Sequence, residues 1–67
     1  MEDHHDGATL LSEAKARRDR AAEARRLAAQ ITDPMAKESL LRRADTLIAE
    51  AEALERQAAA LRKNDET

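Results

Sequence analysis

The chain has 67 residues and a net charge of −2, with 42% hydrophobic and 39% charged residues. A chain this short forms at most one small domain with a thin core. It has no aromatic residue and no cysteine, which excludes a disulfide framework, a thiolate metal site and a core anchored by large rings. Its interspersed charges are typical of a helical surface in water.

Residues 1 to 7 are predicted to form a disordered N-terminal tail. They include His4 and His5 with Asp3 and Asp6 beside them, and imidazole and carboxylate groups are ordinary metal ligands. Adjacent residues in a tail rarely define a coordination sphere, so we predict no metal site and no cofactor.

Targeting and membrane segments are not apparent in the sequence. The N-terminus lacks the basic-then-apolar order of a signal peptide, and no apolar run approaches the eighteen residues of a membrane span. A cytoplasmic location without membrane contact is therefore the expectation.

Two long helices follow the tail. From Ala8 to Ile31 the chain has neither Gly nor Pro, and helix-forming residues dominate. Pro34 suits the first position of a new helix, and Asp33 before it is a favoured N-cap. A single helix kinked at Pro34 is the alternative. The predicted hairpin spans residues 8–63, with helices at 8–31 and 34–63, a turn at 32–33, and a C-terminal tail at 64–67.

A coiled-coil pattern runs through both helices. In the second helix leucines recur every seven residues with alanines between them, which predicts a seam that another helix must cover. If the chain folds back at Asp33, the first helix provides a matching stripe in which large side chains mostly face small ones. The predicted seam consists of Leu10, Ala14, Ala21, Ala24, Ala28 and Ile31 in the first helix, and of Leu40, Ala44, Leu47, Ala51, Leu54, Ala58 and Leu61 in the second.

Arg17 interrupts this stripe, opposite Ala51. Its stem can lie over the small alanine while the guanidinium reaches Glu50 or Glu55 at the surface. Alternatively, a polar seam residue can set the register or the choice of partner.

Large aliphatic residues beside the seam predict a further contact. Leu11, Leu27, Leu41 and Ile48 flank it and have no evident partner within one hairpin. Pairing two hairpins would cover them and form an antiparallel four-helix bundle, so we expect a homodimer. The alternative is that Leu41 and Ile48 only broaden the core of a hairpin that docks on an unknown protein.

Catalysis is not expected, because no histidine lies in the predicted helices to activate a serine or threonine. A basic strip on the first helix is a candidate nucleic-acid site, and a dimer would present it twice. Acidic residues interrupt the strip and no aromatic residue is available for base stacking, so a solvated helix face is the preferred interpretation. The strip consists of Lys15, Arg18, Arg25 and Arg26.

The segment from Leu27 to Pro34 reads LA-x-x-I-x-DP, and an L-L-x-x-A motif follows at residues 40–44. This pattern resembles small bacterial helical-hairpin proteins of uncharacterised function, and the resemblance implies helix, turn and helix without an activity. In plan the expected dimer also resembles Rop, the plasmid copy-control protein that binds RNA as a four-helix bundle.

These patterns together predict an all-α antiparallel coiled-coil hairpin that dimerises into a four-helix bundle. The predicted function is a non-catalytic protein interaction or assembly module that acts through self-association. The alternative is a small Rop-like dimeric nucleic-acid-binding regulator that uses the basic strip.

Overall fold

The computed structural model of the chain describes residues 7–66, and the side chains of residues 7–63. This part forms two helices, α1 (Gly7–Gln30) and α2 (Pro34–Glu66), which pack against each other. The predicted all-helical hairpin is confirmed. The alternative of one long helix kinked at Pro34 is wrong, because the chain reverses at residues 31–33.

The turn follows the expected chemistry. The backbone N–H of Lys37 donates to the carbonyl oxygen of Asp33 at 3.0 Å, so Asp33 holds the N-cap position and Pro34 is the first residue of α2. On the other side, the N–H of Ile31 donates to the carbonyl oxygen of Ala28 at 3.2 Å. This bond spans three residues and closes a 3₁₀-type turn at the end of α1.

The helix ends differ slightly from the sequence expectation. Helix α1 begins at Gly7, a residue that the sequence assigns to the tail, and stops before Ile31. Helix α2 continues to Glu66, so the C-terminal tail does not begin at Asn64. Many helices end at a residue in the left-handed conformation. Neither helix ends in this way within the described range, because no residue there has a positive φ. The predicted disorder of residues 1–6 lies outside the described residues, as does Thr67.

The core is a row of small residues from both helices. Every buried hydrophobic residue of the described range belongs to the predicted seam, and the remaining seam residues Ile31, Leu40, Leu54 and Leu61 are half-buried. Alanine contributes little apolar area, so this core is thin. The buried residues are Leu10, Ala14, Ala21, Ala24, Ala28, Ala44, Leu47, Ala51 and Ala58.

The observed pairing of the two helices matches the register predicted for a chain that folds back at Asp33. One core cluster joins Ala21, Ala24, Ala44 and Leu47, which contains the predicted facing pairs Ala24 with Ala44 and Ala21 with Leu47. Small residues at these positions allow the two helix axes to approach closely.

The hairpin is an elongated plate. It measures 52 × 20 × 13 Å with a radius of gyration of 15.4 Å, whereas a compact domain of this length would have about 11 Å. Two broad faces therefore remain uncovered. Over the described residues, neither helix is long and apolar enough to cross a membrane.

Candidate interaction surface

The two broad faces can be told apart by position relative to the seam. Consecutive helix residues are about 100° apart, so residues directly after a seam residue lie on one side of the stripe and residues directly before it lie on the other. In an antiparallel hairpin the following residues of both helices share one face. Ion pairs between Arg18 and Glu55 and between Arg25 and Asp45 confirm this, because all four residues follow a seam position.

Leu11, Leu41 and Ile48 also follow seam residues, and we call this side the leucine face. The side chains of Leu11 and Leu41 are 47% and 40% exposed. Ile48 is half-buried and packs against the core cluster. The expectation that Ile48 has no partner within the hairpin is therefore wrong, because the alanines beneath it leave room for its side chain.

Leu27 precedes a seam residue and lies on the opposite side, the groove face. It is 47% exposed and lines a shallow groove with Leu40 and Leu47. The rim of this groove consists of Arg20, Glu23 and Arg43, each of which directly precedes a seam residue. A second groove, lined by Leu10, Gln57, Ala60 and Leu61, lies near the open end of the hairpin.

The predicted dimer contact thus divides between two faces. Leu11, Leu41 and Ile48 can be covered together, but Leu27 cannot be covered by the same flat surface. The missed signal was in the sequence, since Leu27 comes before its seam neighbour Ala28 whereas Leu11 comes after Leu10. Met35 near the turn is a further exposed apolar residue, 79% exposed, which the seam spacing does not point to.

A two-pronged ion pair crosses the leucine face. Arg18 donates from Nε to Glu55 Oε2 at 2.7 Å and from Nη2 to Glu55 Oε1 at 2.8 Å, the geometry in which guanidinium and carboxylate match best. The hydrogen bond from Arg18 lowers the pKa of the Glu55 carboxyl below its ordinary value. The same contact raises the pKa of Arg18.

A looser ion pair lies closer to the turn on the same face. Arg25 Nη2 is 3.8 Å from Asp45 Oδ1. Two ion pairs, at different positions along the hairpin, therefore connect α1 and α2 on the leucine face.

The guanidinium group of Arg17 lies on the groove face. Its Nε donates to Glu50 Oε1 at 3.2 Å, and its Nη1 donates to the carbonyl oxygen of Glu13 at 3.4 Å. Ala51 opposite is fully buried, so the stem covers a small residue while the charge stays at the surface, as the first of the two readings predicts.

The basic strip on α1 is largely neutralised within the chain. Lys15 pairs with Asp19 at 3.2 Å, and Arg18 and Arg25 pair with acids of α2. Among the described residues Arg26 has no ion-pair partner within 4 Å. A polyanion bound to the strip would compete with these three carboxylate contacts.

Among the described residues, no group of three or more His, Cys, Asp or Glu side chains is placed so that it could hold a metal ion. His4 and His5 lie outside the described residues.

No protein-family model matches this chain, and comparison with curated proteins and with solved structures found no significant similarity. The resemblance of residues 27–44 to small bacterial helical-hairpin proteins therefore stays a prediction. The candidate interaction surface is therefore identified from the exposed residues of the hairpin alone.

Proposed function

We propose that this protein is a non-catalytic assembly module that self-associates through the leucine face of its hairpin. A homodimer is the simplest closed product, because a two-fold axis lets the same face serve both copies. Two hairpins joined in this way form the four-helix bundle expected from the sequence.

The observation that carries the proposal is where the large side chains lie. The hairpin buries mainly alanines, while Leu11 and Leu41 stay 47% and 40% exposed and Ile48 is only half-buried. Fully burying one large aliphatic side chain is worth about 1.5–3 kcal/mol. Covering the leucine face therefore supplies apolar burial that a core of alanines lacks.

The size of the face also fits. A surface of 52 by 20 Å offers on the order of 1,000 Å² to a partner, and stable interfaces bury about 800 Å² on each side. The face is polar at its cross-helix ion pairs and apolar beside them, as interfaces between separately folded partners are.

Replacing Leu41 with glutamate tests this surface. Leu41→Glu places a charge in the proposed contact and should shift the protein from dimer to monomer in sedimentation over a range of concentrations. Ile48→Glu is a poorer test, because Ile48 also packs on the hairpin's own core.

Leu27→Glu is the matched control. It introduces the same charge at a similarly exposed leucine, but on the groove face, and should leave the dimer mass unchanged. A wild-type chain that stays monomeric at all concentrations would refute the proposal, and so would an equal loss of dimer in both variants.

A further inference from the structure

We infer that the two hairpins pack with their turns at the same end, so that α1 of each copy lies on α2 of its partner. This inference rests on the proposed self-association and concerns its geometry. It follows from how charge and side-chain size are distributed on the leucine face.

Charges on the leucine face differ between the two helices. The charged residues of α1 that follow seam positions are Lys15, Arg18 and Arg25, whereas those of α2 are the acids Asp45, Glu52 and Glu55, with one basic residue, Arg62, near the open end of the hairpin. The ion pairs from Arg18 to Glu55 and from Arg25 to Asp45 show that these rows run side by side.

Two symmetric ways of stacking such faces exist. When the two-fold axis runs along the helices, the turns coincide and the basic row of each copy lies over the acidic row of the other. When the axis runs across the helices, the turns are at opposite ends, and basic lies over basic and acidic over acidic. Electrostatic complementarity sets orientation in interfaces, and it favours the first arrangement.

Side-chain size favours the same arrangement. The facing seam pairs Ala24 with Ala44 and Ala21 with Leu47 set the heights along the hairpin. They place Ala22 of α1 within one turn of the height of Ile48 in α2. By the same register Ala29 lies within one turn of Leu41. With the turns together, each large residue of α2 meets an exposed alanine of the partner's α1, the large-to-small packing that also builds the seam.

The groove face lacks this segregation. Its α1 row carries Glu13, Arg20 and Glu23, and its α2 row carries Arg43 and Glu50, so both signs occur in both helices. Charge would not select an orientation there, which makes the leucine face the one that specifies a unique dimer.

Spin labels on single introduced cysteines measure the orientation directly, since the natural chain contains no cysteine. Met35 lies near the turn and is 79% exposed, so Met35→Cys carries a label without entering the leucine face. With the turns together, the two α2 helices are diagonal in the bundle, with axes about 14 Å apart when neighbouring axes are about 10 Å apart. The two labels of a dimer should then lie within roughly 30 Å. With the turns apart, they should be separated by roughly 40 Å or more, given the rise of 1.5 Å per residue.

A mixture of Met35→Cys and Lys63→Cys chains supplies the reciprocal measurement. With the turns together, the distance between position 35 of one copy and position 63 of the other should be the long one. A short distance in the mixture and a long one between two copies of position 35 would overturn the inference.

Charge reversal provides a second, independent readout. Glu52 is exposed, and no other described residue forms an ion pair with it within 4 Å. Glu52→Lys should weaken the dimer several-fold if the acidic row faces a basic row, and strengthen it if the acidic row faces its own copy. Glu23→Lys makes the same charge change on the groove face and should leave the dimer dissociation constant unchanged.

The outcomes separate the two proposals. A monomer at every concentration refutes the self-association and the geometry with it. A dimer that is disrupted by Leu41→Glu, but shows distant labels at position 35 and is strengthened by Glu52→Lys, refutes the geometry alone.

Discussion

Glu55 and Arg18 show how one polar contact ties two helices together at the surface. The carboxylate accepts two hydrogen bonds from one guanidinium, and both residues follow seam positions, so the heptad pattern already placed them on one face. The two-pronged geometry could not be read from spacing alone, because Glu52 lies one turn away on the same helix. In the structure Arg18 pairs with Glu55 and not with Glu52.

This contact makes stability depend on acidity. The pKa of Glu55 is lowered in the folded hairpin, so the unfolded chain binds that proton more readily. The stabilisation is therefore present above the ordinary glutamate pKa of about 4.3 and is lost as the pH falls through the lowered pKa. In urea unfolding at fixed protein concentration, wild type should be more stable than Glu55→Gln at pH 7, and the difference should shrink at pH 3. A difference that stays constant over this range would contradict the assignment.

At the scale of the helices, the interface depends on alanine. Ala44 and Ala51 are fully buried where α1 and α2 meet, and their small side chains set how closely the helices approach. The alternation of leucine and alanine predicted this packing, because a seam of large residues on both sides would hold the helices further apart. Ile31 is half-buried, as its seam position predicts, although it lies just after the end of α1.

Enlarging a buried alanine tests this packing. Ala44→Leu should force the helices apart and destabilise the hairpin by about 1–3 kcal/mol, as overpacking does in other cores. Ala49→Leu is the control, because Ala49 is exposed, and surface changes usually stay within about 0.5 kcal/mol. Equal effects of the two variants in thermal or urea unfolding would show that the close approach at Ala44 is not needed.

At the scale of the whole molecule, a plate of two helices has too little interior to bury its large side chains. No large side chain of the described range is fully buried, and small domains with thin cores commonly rely on association for stability. Folding and assembly are therefore expected to be coupled, because only the associated form covers the leucine face.

Coupling of this kind has a thermodynamic signature. The thermal midpoint, followed by circular dichroism, should rise with protein concentration because association stabilises the folded chain by mass action. The midpoint of the Leu41→Glu variant should be lower and independent of concentration. A wild-type midpoint that does not change with concentration would contradict the coupling.

Local rules were enough to predict the two helices and the seam from the amino-acid sequence, and they favoured the reversal at Asp33 and Pro34 over a kinked helix. These rules are helix propensity, the missing N–H of proline, and a regular heptad spacing. Two features became known from the fold alone: which acid each arginine pairs with, and that Ile48 already packs within its own hairpin. Those properties depend on the rotation and height of one helix relative to the other, and these are set by packing across the turn.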